Sequence, residues 1–358
     1  MIFNNNKAFI IAEAGVNHNG SLVRALKLID CAKIAGADAI KFQHFEANKL
    51  VSKKAKKAPY QIKNTKNNES QYKMLKKLEL KENDYFILKR YCKKKKIKFI
   101  SSVFDEDSVT FFNSKLKEKI IKIPSGEITN FFLLNKLNIN KNKILLSTGM
   151  SSYKEISDAI NLICKKNIFE YKNKKIYIKD ETSHRSILSK IIILHCVTDY
   201  PVQNKYANLA CIKKMYEDFK LTIGYSDHTL GILAPLASVA LGAKVIEKHF
   251  TLNKNLPGPD HRASLNPDEF KKMVFQIRQL EIMMGNGEKN LQPCEKKNIL
   301  IARKSLHAKK MIKKGEKFSL ENLVCKRPGN GFNPMKIKTL LNIKANKTFK
   351  PDDIINQK

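Results

Sequence analysis

The sequence has no tryptophan and very little arginine: only seven of its 68 lysines and arginines are arginine. Proteins that read nucleic acids rely on arginine's planar fork and on aromatic side chains that stack on bases. Here the lysines lie in solvated runs such as Lys93–Lys96 and the Lys53–Lys57 region. The net charge of +35 is therefore read as a lysine-rich surface that helps attract anions, with no nucleic-acid partner. No stretch reaches the ~20 apolar residues of a membrane span, so no membrane partner is expected. Met1–Asn6 runs directly into the strand-like Phe9–Ala12 without the charged and apolar pattern of a signal peptide. The seven cysteines (31, 92, 164, 196, 211, 294 and 325) are odd in number, scattered, and free of any CxxC spacing. That argues against a disulfide framework and a zinc ribbon, and fits a reducing cytoplasm.

What is present is alternation. β-rich runs occur at Phe9–Glu13, Ala39–Gln43, Lys98–Ser102, Ile120–Ile123, Ile144–Ser147, Ile191–Cys196, Leu221–Tyr225 and Lys244–Phe250. Segments with apolar residues three and four apart separate them, among them Ser21–Ala35, Glu69–Lys94, Ser152–Cys164, Ile232–Leu241 and Pro267–Met284. Eight strand–helix units predict an α/β fold of the (β/α)8 barrel type. A doubly wound sheet is the alternative. It would carry a glycine-rich phosphate loop after its first strand, and Glu13-Ala14-Gly15-Val16-Asn17 matches neither GxGxxG nor a Walker loop. Asn19-Gly20-Ser21 reads as a loop and N-cap, and Gly36 and Gly242 as helix ends. Residues 165–190 read as a surface insertion without catalytic duty. The barrel is assigned to 1–285, a polar linker to 286–302, and a small unit to 303–358 that is too short to stand without docking on something.

Barrel active sites lie at the C-terminal ends of the strands, and here those ends are polar. Glu13 ends the first strand; Lys41 and Gln43 share one face of the second; Ser102 ends the third. Lys122 and Ser125-Gly126-Glu127 follow on the fourth, Ser147 on the fifth, and His195 through Thr198 on the sixth. Ser226-Asp227-His228 close the seventh, while Glu247 and His249 share a face of the eighth. One such residue is an ordinary strand end, but recurrence around the ring indicates a shared pocket. Lys41 and Lys122 beside hydroxyls and glycine amides suit a phosphate. His228 and His249 suit one divalent transition metal with open positions, against the plainer reading of two hydrogen-bonded core histidines. Glu13, Glu127 and Asp260 are candidate acid–base or sugar-binding carboxylates, or else partners for the abundant lysines.

Taken together, the motifs resemble the sialic acid synthase family over nearly the whole chain. The matching stretches run from Ala12 to Gly20, Ile40 to Gln43, Lys122 to Glu127, Leu146 to Met150, Gly224 to Thr229, Glu247 to Phe250 and Pro257 to Asp260. Lys326-Arg327-Pro328-Gly329-Asn330-Gly331 resembles the signature of that family's antifreeze-like (SAF) domain, a β-clip. The resemblance implies condensation of phosphoenolpyruvate with an N-acetylated amino sugar by a domain-swapped homodimer, with Arg327 reaching the partner's barrel to contact the N-acetyl group. It implies that Lys41, Lys122, Ser125, Ser147 and Ser226 hold phosphoenolpyruvate and that His228 and His249 bind Mn²⁺, with Mg²⁺ or Co²⁺ as substitutes. Glu13, Gln43, Tyr200 and Asp260 would line the sugar site, with Glu127 near the reacting carbons. N-acetylmannosamine, giving N-acetylneuraminate, is the first acceptor implied; 2,4-diacetamido-2,4,6-trideoxymannose, giving N,N'-diacetyllegionaminate, is the alternative. Two stretches depart from the family pattern. Ser101-Ser102-Val103-Phe104 keeps a hydroxyl where Ser-Thr-Pro-Phe is common, and Thr198 stands in a run where some members place an asparagine.

Overall fold

The computed structural model describes residues 7–65 and 68–357; the expectation for Met1–Asn6 lies outside them. Eight strands form the centre: β1 (Phe9–Gly15), β2 (Ala39–His44), β3 (Lys98–Val103), β4 (Ile120–Ile123), β5 (Lys143–Ser147), β6 (Ile191–His195), β7 (Thr222–Asp227) and β8 (Val245–His249). They close in the order β1-β8-β7-β6-β5-β4-β3-β2, all parallel. A closed ring has no sheet edge, which removes the doubly wound alternative.

Period-two alternation divides each strand between two environments. Outward residues such as Ile10, Ala12, Ile40, Phe42, Ile121, Leu146, Ile193 and Ile246 join the helices in one large apolar layer. Inward residues split by height. Phe9, Ile11, Ala39, Ile100, Ile120, Leu145, Ile192, Leu194 and Val245 form an apolar plug. Two residues further along the same faces come Glu13, Lys41, Ser102, Lys122, Ser147 and Glu247, a polar layer at the C-terminal mouth. Glycine is required at one inward position: a Cβ on Gly224 would sit 2.4 Å from Leu194 Cδ2 and 2.6 Å from the Val245 carbonyl oxygen.

The helices follow from their caps and stripes. Ser21 caps Leu22–Ile34 through the Arg24 amide, and Gly36 (φ +88°) and Gly242 (φ +101°) adopt the left-handed conformation at helix ends. Pro267–Met284 starts with a reciprocal cap between Asn266 and Glu269 and buries Phe270, Met273, Val274 and Ile277. Each of these buried side chains contributes ~2 kcal/mol of transfer free energy.

One segment differs from the sequence expectation, and a second gains internal structure. The helix predicted over 69–94 is two helices, Gln71–Lys76 and Glu82–Lys95. Leu78 and Leu80, spaced two apart, are both buried in the intervening stretch, and the Asp84 carboxylate accepts from the Lys81 amide to begin the second helix. Residues 165–190 contain a hairpin, Phe169–Lys172 with Lys175–Ile178, followed by a helix, Glu181–Leu188. Asn173 and Lys174 at the tip both have positive φ, as a two-residue turn matching strand twist requires. Ile168 and Phe169 are buried, with Phe169 edge-on to Phe219 at 5.5 Å.

The chain divides into two compact units, Met1–Gly285 and Asn286–Lys358. In the second, Ser305–Ala308 pairs antiparallel with Leu323–Lys326 over a core that includes Leu306, Ile312, Phe318, Phe349 and Ile355. A short helix, Lys296–Ala302, occupies the end of the stretch read as a linker. Arg327 is exposed, and its Nε donates to the Ala302 carbonyl at 2.9 Å. Among the described residues no helix is long and apolar enough to cross a membrane.

Candidate active site

The polar layer opens into a cavity of about 100 Å³ at the C-terminal ends of the strands. Buried charges organise its wall. Lys41 Nζ lies 2.6 Å from Glu13 Oε2 and 3.9 Å from Glu247 Oε2, and donates to Ser102 Oγ at 3.0 Å. Lys122 Nζ donates to Glu247 Oε1 at 3.1 Å, and Ser226 Oγ donates to the same oxygen at 2.8 Å. Gln43 Nε2 donates to Glu13 Oε1 at 3.1 Å. Two lysines thus face two glutamates. Burial pushes Glu13 up, against the pull of Lys41, so it holds a proton more readily than an ordinary glutamate. Burial acts the same way on Glu247, but Lys122 and Lys41 outweigh it and keep that carboxylate ionised.

Hydroxyls form another part of the lining. Ser147 Oγ and Thr198 Oγ1 are buried with no hydrogen-bond partner among the described residues, and Ser125 Oγ meets Cys196 Sγ at 3.0 Å. The Gly149 amide donates to both Ser125 Oγ and Cys196 Sγ. A Cβ on Gly149 would lie 2.2 Å from Thr198 Oγ1, so only glycine lets this backbone approach so closely.

His228 and His249 stand side by side, ring centres 5.5 Å apart, with Tyr200 against them at 4.1 and 5.6 Å and Tyr60 tilted against Tyr200 at 4.9 Å. Burial lowers His228 to about 4; burial and then the neighbouring His228 lower His249 well below its ordinary value. Both rings are neutral at pH 7 and offer lone pairs. His228 Nδ1 donates to the Val197 carbonyl at 2.7 Å, which leaves Nε2 as the free base. His249 Nδ1 is buried and makes no hydrogen bond. Neutral imidazoles in this state fit a divalent transition metal. Among the described residues no three His, Cys, Asp or Glu side chains form a metal-binding group, so the two histidines are the candidates here.

Of the residues singled out in the sequence, Glu13, Lys41, Gln43, Ser102, Lys122, Ser125, Ser147, Thr198, Tyr200, Ser226, His228 and His249 line this one cavity. Asp260 is buried beside it; burial and then the nearby Glu13 charge raise it to about 7. Glu127 lies off the lining, half-buried, accepting from Asn130 Nδ2 at 2.7 Å, and burial pushes it up. Arg327 belongs to the second unit. No residue of 165–190 lines the cavity. Glu247, which shares the inward face of β8 with His249, lines the same cavity. Tyr60 was given no role from the sequence: it lies in the helix Pro59–Thr65, away from any strand end, and only the folded chain brings its ring to Tyr200.

A model of the NeuB family matches residues 28–289. The chain belongs to the NeuB family. A SAF domain model matches 303–358, so this member carries a SAF domain after its barrel. The chain is 49% identical to the N,N'-diacetyllegionaminic acid synthase of Campylobacter jejuni, covering 98% of this chain and 99% of that one. It is 42% identical to the protein of the same name from Legionella pneumophila, over 93% and 89%. Among solved structures, N-acetylneuraminic acid synthetase from Leptospira borgpetersenii superposes with a TM-score of 0.67 at 32% identity, covering 82% of this chain and 91% of that one.

Proposed function

We propose that this NeuB-family barrel joins phosphoenolpyruvate to the open-chain aldehyde of an N-acetylated amino sugar, giving a nine-carbon 2-keto acid and inorganic phosphate. The observation that carries the reading is the polar layer: two buried lysines, two buried hydroxyls with no hydrogen-bond partner among the described residues, and the Gly149 amide with Ser125, all beside two neutral imidazoles. In this reading Lys41 and Lys122, with Ser102, Ser125, Ser147, Thr198 and Ser226, hold the phosphate and carboxylate of phosphoenolpyruvate. Gln43, Tyr200 and Asp260 hold the sugar. C3 of phosphoenolpyruvate bonds to the aldehyde carbon, water adds at C2, and the C2–O bond breaks so that the bridging oxygen leaves with phosphate. Glu13, on the wall and raised by burial, carries the proton to the former aldehyde oxygen. Glu127, one residue beyond the lining Gly126, is the second candidate for that role. A divalent ion, Mn²⁺ with Mg²⁺ or Co²⁺ as substitutes, would be held by His228 and His249 and would supply Lewis-acid stabilisation of negative charge on the sugar's carbonyl oxygen.

The acceptor we propose is 2,4-diacetamido-2,4,6-trideoxymannose, supported by the 49% and 42% identity to two N,N'-diacetyllegionaminic acid synthases. N-acetylmannosamine is the second reading, favoured by the likeness to the Leptospira synthetase. We place the reaction in the cytoplasm, consistent with free thiols, and assign Arg327 of a partner copy to the sugar's N-acetyl group in a domain-swapped homodimer. The test incubates the full chain with Mn²⁺, phosphoenolpyruvate labelled with ¹⁸O at the bridging oxygen, and each sugar in turn. The expected result is a condensed product with one acceptor and label in the released phosphate. No phosphate release with either sugar would overturn the reading, and label retained in the product would overturn the C–O cleavage.

A further inference from the structure

Strands β7 and β8 carry two facing tripeptides, Ser226-Asp227-His228 and Glu247-Lys248-His249. The ladder sets Ser226 opposite Glu247 and Asp227 opposite Lys248. Alternation sends the first and third members inward: Ser226, His228, Glu247 and His249 all line the cavity. The middle members go outward, into the apolar layer between sheet and helices, where each is 1% exposed. A lysine and an aspartate are the residues least expected there. They are fully engaged: Lys248 Nζ lies 2.5 Å from Asp227 Oδ2 and donates to the Thr229 carbonyl at 2.5 Å. Asp227 Oδ1 accepts from Tyr225 Oη at 3.0 Å and from the Thr229 amide at 2.8 Å. The network therefore grips the chain on both sides of His228 and binds it to the residue before His249.

Stability alone does not account for such a pair. Replacing a buried ion pair by apolar side chains of similar volume is often neutral or stabilising, so the layer would pack as well without it. What an apolar pair could not supply is direction. The β7–β8 ladder ends at Asp227 and Lys248, so His228 stands just beyond it, held also by the Val202 amide on its carbonyl oxygen, by the Val197 carbonyl on its ring and by the Tyr200 ring at 4.1 Å. We infer that the Asp227–Lys248 pair is a positioning clamp that fixes the spacing and facing of the His228 and His249 imidazoles from outside the barrel. This rests on the reading of those histidines as metal ligands.

The clamp is tested by Mn²⁺ titration of the full chain, following free Mn²⁺ by electron paramagnetic resonance. The variants are Asp227→Asn/Lys248→Met, Tyr225→Phe and His228→Ala. The double variant strands no charge, and in chelator it is expected to melt within a few degrees of wild type while binding Mn²⁺ about 10- to 100-fold more weakly, as outer partners of metal ligands do. Tyr225→Phe removes one of the two donors to Asp227 Oδ1 and is expected to weaken Mn²⁺ about two- to fivefold; it decides the matter should the double variant not fold. Wild-type Mn²⁺ affinity in both, with weakened binding in His228→Ala, would overturn the clamp and leave the metal reading standing. Wild-type affinity in His228→Ala would overturn the metal reading, and the clamp with it.

Discussion

Replacing Lys41 with methionine keeps the buried stem and deletes one charge, and the structure dictates how the loss should vary with pH. Lys41 Nζ is 2.6 Å from Glu13 Oε2, and both side chains are 2% exposed. Without it, Glu13 keeps only the Gln43 amide as a donor. An ionised carboxylate stranded in this wall costs ~3–5 kcal/mol, the usual result of removing one member of a buried pair. Protonation avoids that cost, and burial already pushes Glu13 toward it, with Lys41 as the strongest opposing influence. In the variant the folded pKa therefore rises further above the unfolded value of ~4.3. Between those two values the folded state holds more protons than the unfolded state, so its stability falls as pH rises. The expected deficit is small at pH 5 and grows toward pH 8 by at most ~1.4 kcal/mol per pH unit, up to the ~3–5 kcal/mol ceiling. Unfolding entropy of ~2.1 cal/mol/K per residue over the Met1–Gly285 unit gives ~0.6 kcal/mol per degree, so the gap in Tm reaches ~5–8 °C. Melting curves in chelator from pH 5 to 8.5, for wild type, Lys41→Met and Glu13→Gln/Lys41→Met, measure it. The double variant should recover most of the loss at pH 8. A gap that does not change with pH, or no recovery by Glu13→Gln, would refute the reasoning.

Acid should destabilise the wild type through His18 and His261, which burial lowers to about 4 each. Their depressed values leave stability complete above pH ~6.5 and remove it as pH falls toward 4, by up to a few kcal/mol per group, so His261→Gln should flatten the decline in Tm across that window. Gly149→Ala sets a Cβ 2.2 Å from Thr198 Oγ1, and the KM for phosphoenolpyruvate should rise tenfold or more with little change in Tm; Thr198→Ala in the same chain should restore part of it, and an unchanged KM would count against Gly149 as part of the phosphoenolpyruvate site. Because Lys41 and Lys122 are already matched by Glu13 and Glu247, phosphoenolpyruvate gains little from them alone. Calorimetry should therefore show its affinity falling at least tenfold when Mn²⁺ is removed, and equal affinity with and without the ion would contradict this charge balance.

The barrel was legible because most of its strands obey one rule: outward faces that are largely apolar, and inward faces that turn polar only at their C-terminal ends. Glu13, Lys41 and Lys122 stood out for the same reason, as charges inside otherwise apolar runs. Between Gln71 and Lys95, Leu78 keeps helical spacing to Met74 and Leu75, yet it lies in the turn that ends the first helix, and Leu80 is buried beyond it before the second begins; only the tertiary contact shows the break. The hairpin in 165–190 is hidden among lysines, its turn formed by an Asn-Lys pair in place of the usual Asn-Gly. Glu127 shows the limit of motif reading. It follows two lining residues, but a turn of 3-10 helix at Ser125–Glu127 carries it past the wall and onto Asn130.

The same alternation explains why Lys248 drew no attention in the sequence. Between Glu247 and His249, an outward lysine in a chain with so many lysines reads as one more solvated charge. It is solvated only if the outward face meets water, and in a barrel wrapped by helices it does not. Once the ring closes, every charge between two inward-facing strand residues must be matched inside the wall or expelled. Of the two register partners of Lys248, Ala12 on β1 and Asp227 on β7, only Asp227 carries a charge to match it, and Asp227 adjoins His228. The histidines and their clamp are therefore two faces of one pairing. A change to either strand that shifted its register by one residue would turn the imidazoles out of the cavity and the ion pair into it.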